Sequence, residues 1–129
     1  MSKILVVDDS LTDRKLTNKI LKSRHYEVIE SDNSESVPDL VEREQPDAIV
    51  LDIVMPGVSG YEICRRLKRS PYTRDIPIIF LSGRKDESDI FWGKLQGADE
   101  YLAKPVEPQQ LLDAVDRLIN RNRGVLLHE

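Results

Sequence analysis

The chain is short of cysteine, of long apolar runs and of positive charge. Cys64 is its only cysteine, so an internal disulfide is excluded. A buried apolar role in a reducing compartment is expected for it. No apolar stretch approaches the roughly 20 residues that a transmembrane helix requires, so no membrane span is expected. The opening MSKILVVDD enters a strand-like run at once and leaves no room for a signal peptide, which makes a cytoplasmic location the default. The formal net charge of −4 argues against direct nucleic-acid binding. No internal repeat, low-complexity tract or linker precedes Arg121. What is present is ordinary: 129 residues, 40% apolar and 33% charged, which fit one globular domain with a single good core.

Short apolar runs alternate with helix-like stretches. Strands are predicted over Lys3–Val7, Tyr26–Ser31, Ala48–Leu51, Ile76–Leu81 and Glu100–Leu102. The second is the more polar, as suits an edge; the third is continuously apolar and therefore central. Leu11, Leu16, Ile20 and Leu21 share one helical stripe, with Ser10 or Thr12 as cap and Asp13 in the first turn. Val37, Leu40 and Val41 give a second helical face. Pro38 lies within it, so that helix either starts near Ser36 or is distorted. Ile63, Cys64 and Leu67 mark a third helix, a fourth runs about Glu87–Gln96, and Leu111, Leu112, Val115, Leu118 and Ile119 mark the fifth and clearest. Five βα units in succession predict an α/β, flavodoxin-like fold: a doubly wound, three-layer sandwich around a five-stranded parallel sheet. Right-handed crossovers and the spatial order 2-1-3-4-5 go with it. The domain is expected to span 1–121, with 122–129 a tail or the stump of a linker.

Charged residues stand where strands end. Asp8 and Asp9 follow KILVV, Asp52 follows AIVL, and Lys104 follows the fifth strand. In an open α/β sheet the carboxyl ends of the strands line the crevice where ligands bind. The predicted order puts the first and third strands side by side, so the three aspartates become neighbours. Buried carboxylates at that density are costly without a cation. Oxygen ligands of this kind suit magnesium, manganese or calcium.

Placed in this way, the residues resemble the receiver domain of two-component response regulators, the CheY-like family. The elements are VVDDS at 6–10, LDIVMPGVSG at 51–60, FLSG at 80–83 and GADEYLAKP at 97–105, and the likeness runs from Lys3 to about Ile119. The stretch FWGKLQGADEYLAKPV further resembles single-domain regulators of type IV pilus motility and phototaxis. The resemblance implies a phosphorylation-dependent switch rather than an enzyme with a separate substrate. It implies Asp52 as phosphoryl acceptor, supplied by a histidine kinase or phosphotransfer protein. Mg²⁺ is the implied cofactor, held by Asp8, Asp9, Asp52 and the backbone carbonyl of Val54. Lys104 would pair with the acceptor and then with a phosphoryl oxygen, beside a cis Lys104–Pro105 bond. Ser82 would bond the phosphoryl group and draw its loop inward, and Tyr101 would change rotamer with it. A downstream protein would dock on the fourth helix, fifth strand and fifth helix; a monomer and an activation-dependent dimer are both open.

Two details depart from the common family pattern. Gly83 follows the switch serine where alanine is usual. Val54 and Arg84 flank the path by which water would reach the phosphoryl group, and neither can act as a general base, so self-dephosphorylation is expected not to be fast. Phe91, Leu95 and Ala98 share helical spacing, which predicts Phe91 in the core and Trp92 at least partly exposed. His25 and His128 lack neighbouring ligands and are not expected to bind metal. Two alternative functions stand beside the switch. One is a receiver cut from a longer regulator with a DNA-binding or enzymatic output. The other is a Mg²⁺-dependent aspartyl phosphohydrolase, which would want a second acid two residues after the nucleophile, where this chain has Val54.

Overall fold

Runs rich in β-branched residues pair into a sheet, and the amphipathic stretches between them cover its two faces. The computed structural model describes residues 2–127, with side chains as far as Asn122; His128 lies outside the described residues. The order is β1 (Lys3–Val7), α1 (Leu11–Ser23), β2 (Glu27–Ser31), α2 (Val37–Glu44), β3 (Ala48–Leu51), α3 (Gly60–Arg69), β4 (Ile78–Ser82), α4 (Glu87–Leu95), β5 (Glu100–Ala103) and α5 (Pro108–Leu127). All strand pairs are parallel and the spatial order is β2-β1-β3-β4-β5, as expected from the sequence. One core layer packs Ile4, Val6, Val50 and Ile79 against Leu21, Leu111, Val115 and Leu118. The other packs Leu5, Leu51 and Phe80 against Val41, Ile63, Cys64 and Leu67. Cys64 is fully buried there, and burial pushes its thiol up to about 12, which makes it an inert apolar residue.

Several boundaries move for local reasons. β4 starts at Ile78 rather than Ile76, because Pro77 has no N–H for the ladder and serves only as acceptor, from Ile49 N–H at 2.9 Å. It runs on to Ser82. α2 starts after Ser36 with Pro38 in its first turn, where proline is tolerated. α5 continues to Leu127, past the boundary drawn at residue 121.

Two helices are rotated relative to the faces read from spacing. α1 buries Thr17, Asn18, Ile20 and Leu21, while Leu11 and Leu16 are exposed. Glu30 on β2, half-buried, accepts hydrogen bonds from Arg14, Lys15 and Asn18; it holds the Asn18 side of the helix inward, while Lys15 reaches it from solvent. The placement of Phe91 in the core is overturned: it is 63% exposed, together with Trp92 and Leu95. Gly93 is the buried residue of α4. A Cβ there would lie 2.9 Å from the Tyr101 ring and 3.0 Å from the Phe80 ring. The missing side chain lets α4 press its backbone onto these aromatics, and Phe91 is carried round to solvent, where its ring meets Trp92 edge-on at 6.1 Å.

Candidate functional site

The last rungs of the parallel ladder fix the site. Asp52 N–H donates to the Val7 carbonyl at 3.0 Å, Asp8 N–H to Ser31 at 3.1 Å, and Lys104 N–H to Ser82 at 2.8 Å. Each functional residue is therefore the first to leave its strand, held by its backbone while its side chain turns over the carboxyl edge. α3 closes in beneath: Gly60 N–H donates to the Ile53 carbonyl at 3.0 Å, and a Cβ on Gly60 would meet the Asp52 carbonyl oxygen at 2.4 Å. Only glycine allows that approach.

The side chains converge. Lys104 Nζ donates to Asp8 Oδ2 at 2.7 Å, Asp13 Oδ2 at 2.9 Å and Asp52 Oδ2 at 3.0 Å. The Asp52 carboxylate also accepts the Val54 N–H on Oδ1 at 3.2 Å, and Asp8 Oδ1 accepts Ser10 N–H at 2.9 Å. Asp8 and Asp52 are buried, at 4% and 7% exposure, while Asp9 faces solvent. Oxygens of Asp8, Asp9 and Asp52 all lie within 4.8 Å of one another. Three hard oxygen donors, two of them buried, fit a divalent cation, and magnesium needs only two or three protein ligands because it keeps several waters.

Four carboxylates around one ammonium leave the site strongly negative. Burial pushes the Asp8 carboxyl above its ordinary value, even against the hydrogen bonds from Lys104 and Ser10 N–H and the Lys104 charge. Burial alone would lower Lys104, but its bonds to Asp8, Asp13 and Asp52 outweigh that and hold the ammonium well above the ordinary lysine range. It stays charged at any physiological pH.

The remaining predicted residues lie along the same edge. Ser82 is fully buried at the end of β4, and its Oγ accepts the Arg84 N–H at 3.3 Å. Tyr101 is buried, with its ring edge-on to Phe80, and its hydroxyl donates to the Arg84 carbonyl. Desolvation raises that phenol to about 12, so it remains a donor. Arg84 is thus gripped by both predicted switch residues through its own backbone. Val54 is exposed and lines, with Ile53, Met55, Ser59, Tyr61 and Arg84, a pocket of about 180 Å³ at the mouth of the site. The Lys104–Pro105 bond is cis.

Sequence reasoning missed Asp13 as part of the site, treating it only as a first-turn acid. A signal was available. Ser10 caps α1 by accepting Asp13 N–H at 3.2 Å, so Asp13 is the third helical residue after a cap that itself follows Asp8 and Asp9. A side chain there points back over the strand end.

Among known proteins, a family profile described as response regulator receiver domain matches residues 4–116. Protein PilH of Pseudomonas aeruginosa is 36% identical over 119 residues, covering 92% of this chain and 98% of PilH. The phosphate regulon transcriptional regulatory protein PhoB of the same organism is 37% identical over 118 residues, covering 92% of this chain but 52% of PhoB. A response regulator receiver domain protein from Clostridium thermocellum superposes with a TM-score of 0.88 at 31% identity, covering 97% of this chain and 99% of that one.

Proposed function

This chain belongs to the response regulator receiver domain family, and from that premise we propose that it is a phosphorylation-dependent switch whose acceptor is Asp52. The observation that carries the reading is the three-way grip of Lys104 on Asp8, Asp13 and Asp52 at the rim of the acidic trio. In the transfer, an Asp52 carboxylate oxygen forms a bond to phosphorus as the N–P bond of a phosphohistidine breaks, and the imidazole leaves with the electron pair. A carboxylate is a weak nucleophile, so the residues contribute position and charge. Val54 N–H and Lys104 orient the Asp52 carboxylate from its two sides. Lys104 then turns to a phosphoryl oxygen. Asp8, Asp9, Asp52 and the Val54 backbone carbonyl would hold Mg²⁺, which supplies charge neutralisation at the phosphoryl oxygens. The histidine kinase or phosphotransfer protein is the upstream partner.

Ser82 and Tyr101 would carry the change outward. Ser82 accepts from Arg84, so its own hydroxyl proton is not spent on that contact and is available to a phosphoryl oxygen. A shift of Ser82 would move Arg84, and with it the Tyr101 hydroxyl and α4. The output surface is then α4, β5 and α5, where Phe91, Trp92 and Leu95 stand exposed. Phosphorylation must favour the inward arrangement by more than the outward one was preferred. No base is placed at Val54 or Arg84 to activate water, so the phosphoryl group should last for minutes; a half-life of a few seconds in purified protein would sink that claim.

The near-complete overlap with PilH supports a unit that acts by itself, with residues 1–121 as the receiver and α5 carrying the chain on into the tail at 122–129. The match to half of PhoB supports a second reading, a receiver joined to an output domain, with the same chemistry at Asp52. Incubation with Mg²⁺ and beryllofluoride, an acyl-phosphate mimic, tests the acceptor. Trp92 fluorescence should change in wild type and not in Asp52→Asn, and sedimentation should separate a monomeric response from dimerisation. A response that survives in Asp52→Asn would remove Asp52 from the role.

A further inference from the structure

An ammonium has three N–H donors, and in Lys104 all three are taken by carboxylates: Asp8 at 2.7 Å, Asp13 at 2.9 Å and Asp52 at 3.0 Å. Two of these belong to the acidic trio; Asp13 does not. A cation held by the trio shares the carboxylates of Asp8 and Asp52 and weakens their hold on the ammonium. The proposed transfer then asks Lys104 to leave Asp52 for a phosphoryl oxygen. Asp13 is the partner whose charge neither event contests.

Its placement is built by the surrounding turn. Asp13 N–H is fixed by Ser10 Oγ at 3.2 Å, and Ser10 N–H is fixed by Asp8 Oδ1 at 2.9 Å. The next residue, Arg14, is anchored to the Asp8 carbonyl at 2.8 Å and to Glu30 at 3.0 Å. The first turn of α1 is therefore clamped to the end of β1, and the Asp13 carboxylate is delivered to Lys104 while its outer side stays in solvent.

We propose that Asp13 is a positioning residue for Lys104, holding the ammonium over the site while Asp8 and Asp52 are engaged by cation and phosphoryl group. The inference rests on the phosphoacceptor reading above and deepens it. Asp13 also brings a negative charge towards an anionic group, which opposes binding. That repulsion acts past the intervening ammonium and through solvent, since the Asp13 side chain is 43% exposed. The charge-assisted hydrogen bond acts directly at 2.9 Å, so tethering outweighs it.

The test is beryllofluoride affinity at saturating Mg²⁺ for wild type, Asp13→Ala, Asp13→Asn and Asp13→Glu, with melting curves to establish folding. Asp13→Ala should bind about five- to tenfold more weakly, the loss typical of one net intramolecular hydrogen bond, the charge being partly screened because the Asp13 side chain is half exposed. Asp13→Asn, which keeps an acceptor oxygen without the charge, should fall between, and Asp13→Glu should recover at least half of the loss. Should Asp13→Ala not fold, the Asn and Glu variants carry the comparison. Binding within twofold of wild type, tighter binding, or no recovery with glutamate overturns the proposal. If wild type itself fails to bind, the acceptor reading and this one fall together; if wild type binds and removing Asp13 changes nothing, this one falls alone.

Discussion

β5 is flanked by two aspartate–lysine clusters of opposite character. Before its amino end, the Asp99 carboxylate accepts from Lys68 Nζ at 2.9 Å, Arg121 at 3.1 Å and Ile78 N–H at 2.8 Å. Lys68 spends its other donors on the carbonyls of Arg74 and Ile76. After its carboxyl end, one lysine faces Asp8, Asp13 and Asp52, with Asp9 beside them. Burial acts on both clusters alike. Asp99 is nonetheless drawn below its ordinary value, because two cations and a backbone N–H outweigh its desolvation. Asp8 stays above, because one shared ammonium does not outweigh its own. Compensation, more than burial, decides whether a buried acid is a structural tie or a site waiting for positive charge.

The difference can be broken by matched substitutions. Asp99→Asn should cost about 1.5–3 kcal/mol in urea unfolding, since Lys68 and Arg121 lose a charged acceptor. Asp8→Asn, in chelator, should change stability in the other direction, gaining roughly 0.5–1 kcal/mol, as relief of a strained functional site commonly does. Losses of equal size at both positions would show that charge imbalance is not what separates the two ends.

Acid titration sharpens the contrast with the smallest effect. Asp99 has a lowered folded value, so its stabilisation is whole above the ordinary carboxylate pKa of about 3.9 and fades as pH falls through the lower folded value. The gap between wild type and Asp99→Asn should therefore hold down to about pH 4 and narrow only below it. Asp8 has a raised folded value, so its penalty is whole above that value and fades as pH falls from there to the ordinary one. The metal-free gap for Asp8→Asn should thus begin to close at a higher pH than that for Asp99→Asn. Stability measured across pH 3–7 for the three proteins, a window chosen to span about one pH unit below the ordinary carboxylate value and several above it, reads both. Closure in the reverse order would refute the assignment.

Much of this was legible beforehand because it is periodic or terminal. The continuous apolar run of β3 and the acid after it gave the position of Asp52, and Pro38 gave the start of α2. The two helix faces misread had the same origin. Spacing reports which residues could share a stripe, but which stripe turns inward was set by single partners on other elements: Glu30 for α1, and the Tyr101 and Phe80 rings for α4. Gly93 carries no hydrophobic signal at all, yet its missing side chain sets the orientation of its helix.

The sequence by itself determined the five βα units and the residues standing at the ends of the strands, because strand period, strand ends and turn chemistry are local properties; the sheet order followed from the common arrangement of such units. Only the tertiary structure decided that Phe91 faces solvent, and that Asp99 and Asp8 depart from their ordinary values in opposite directions. Those outcomes depend on which distant groups arrive within about 3 Å of one another, at the range of a hydrogen bond, and no local pattern encodes that.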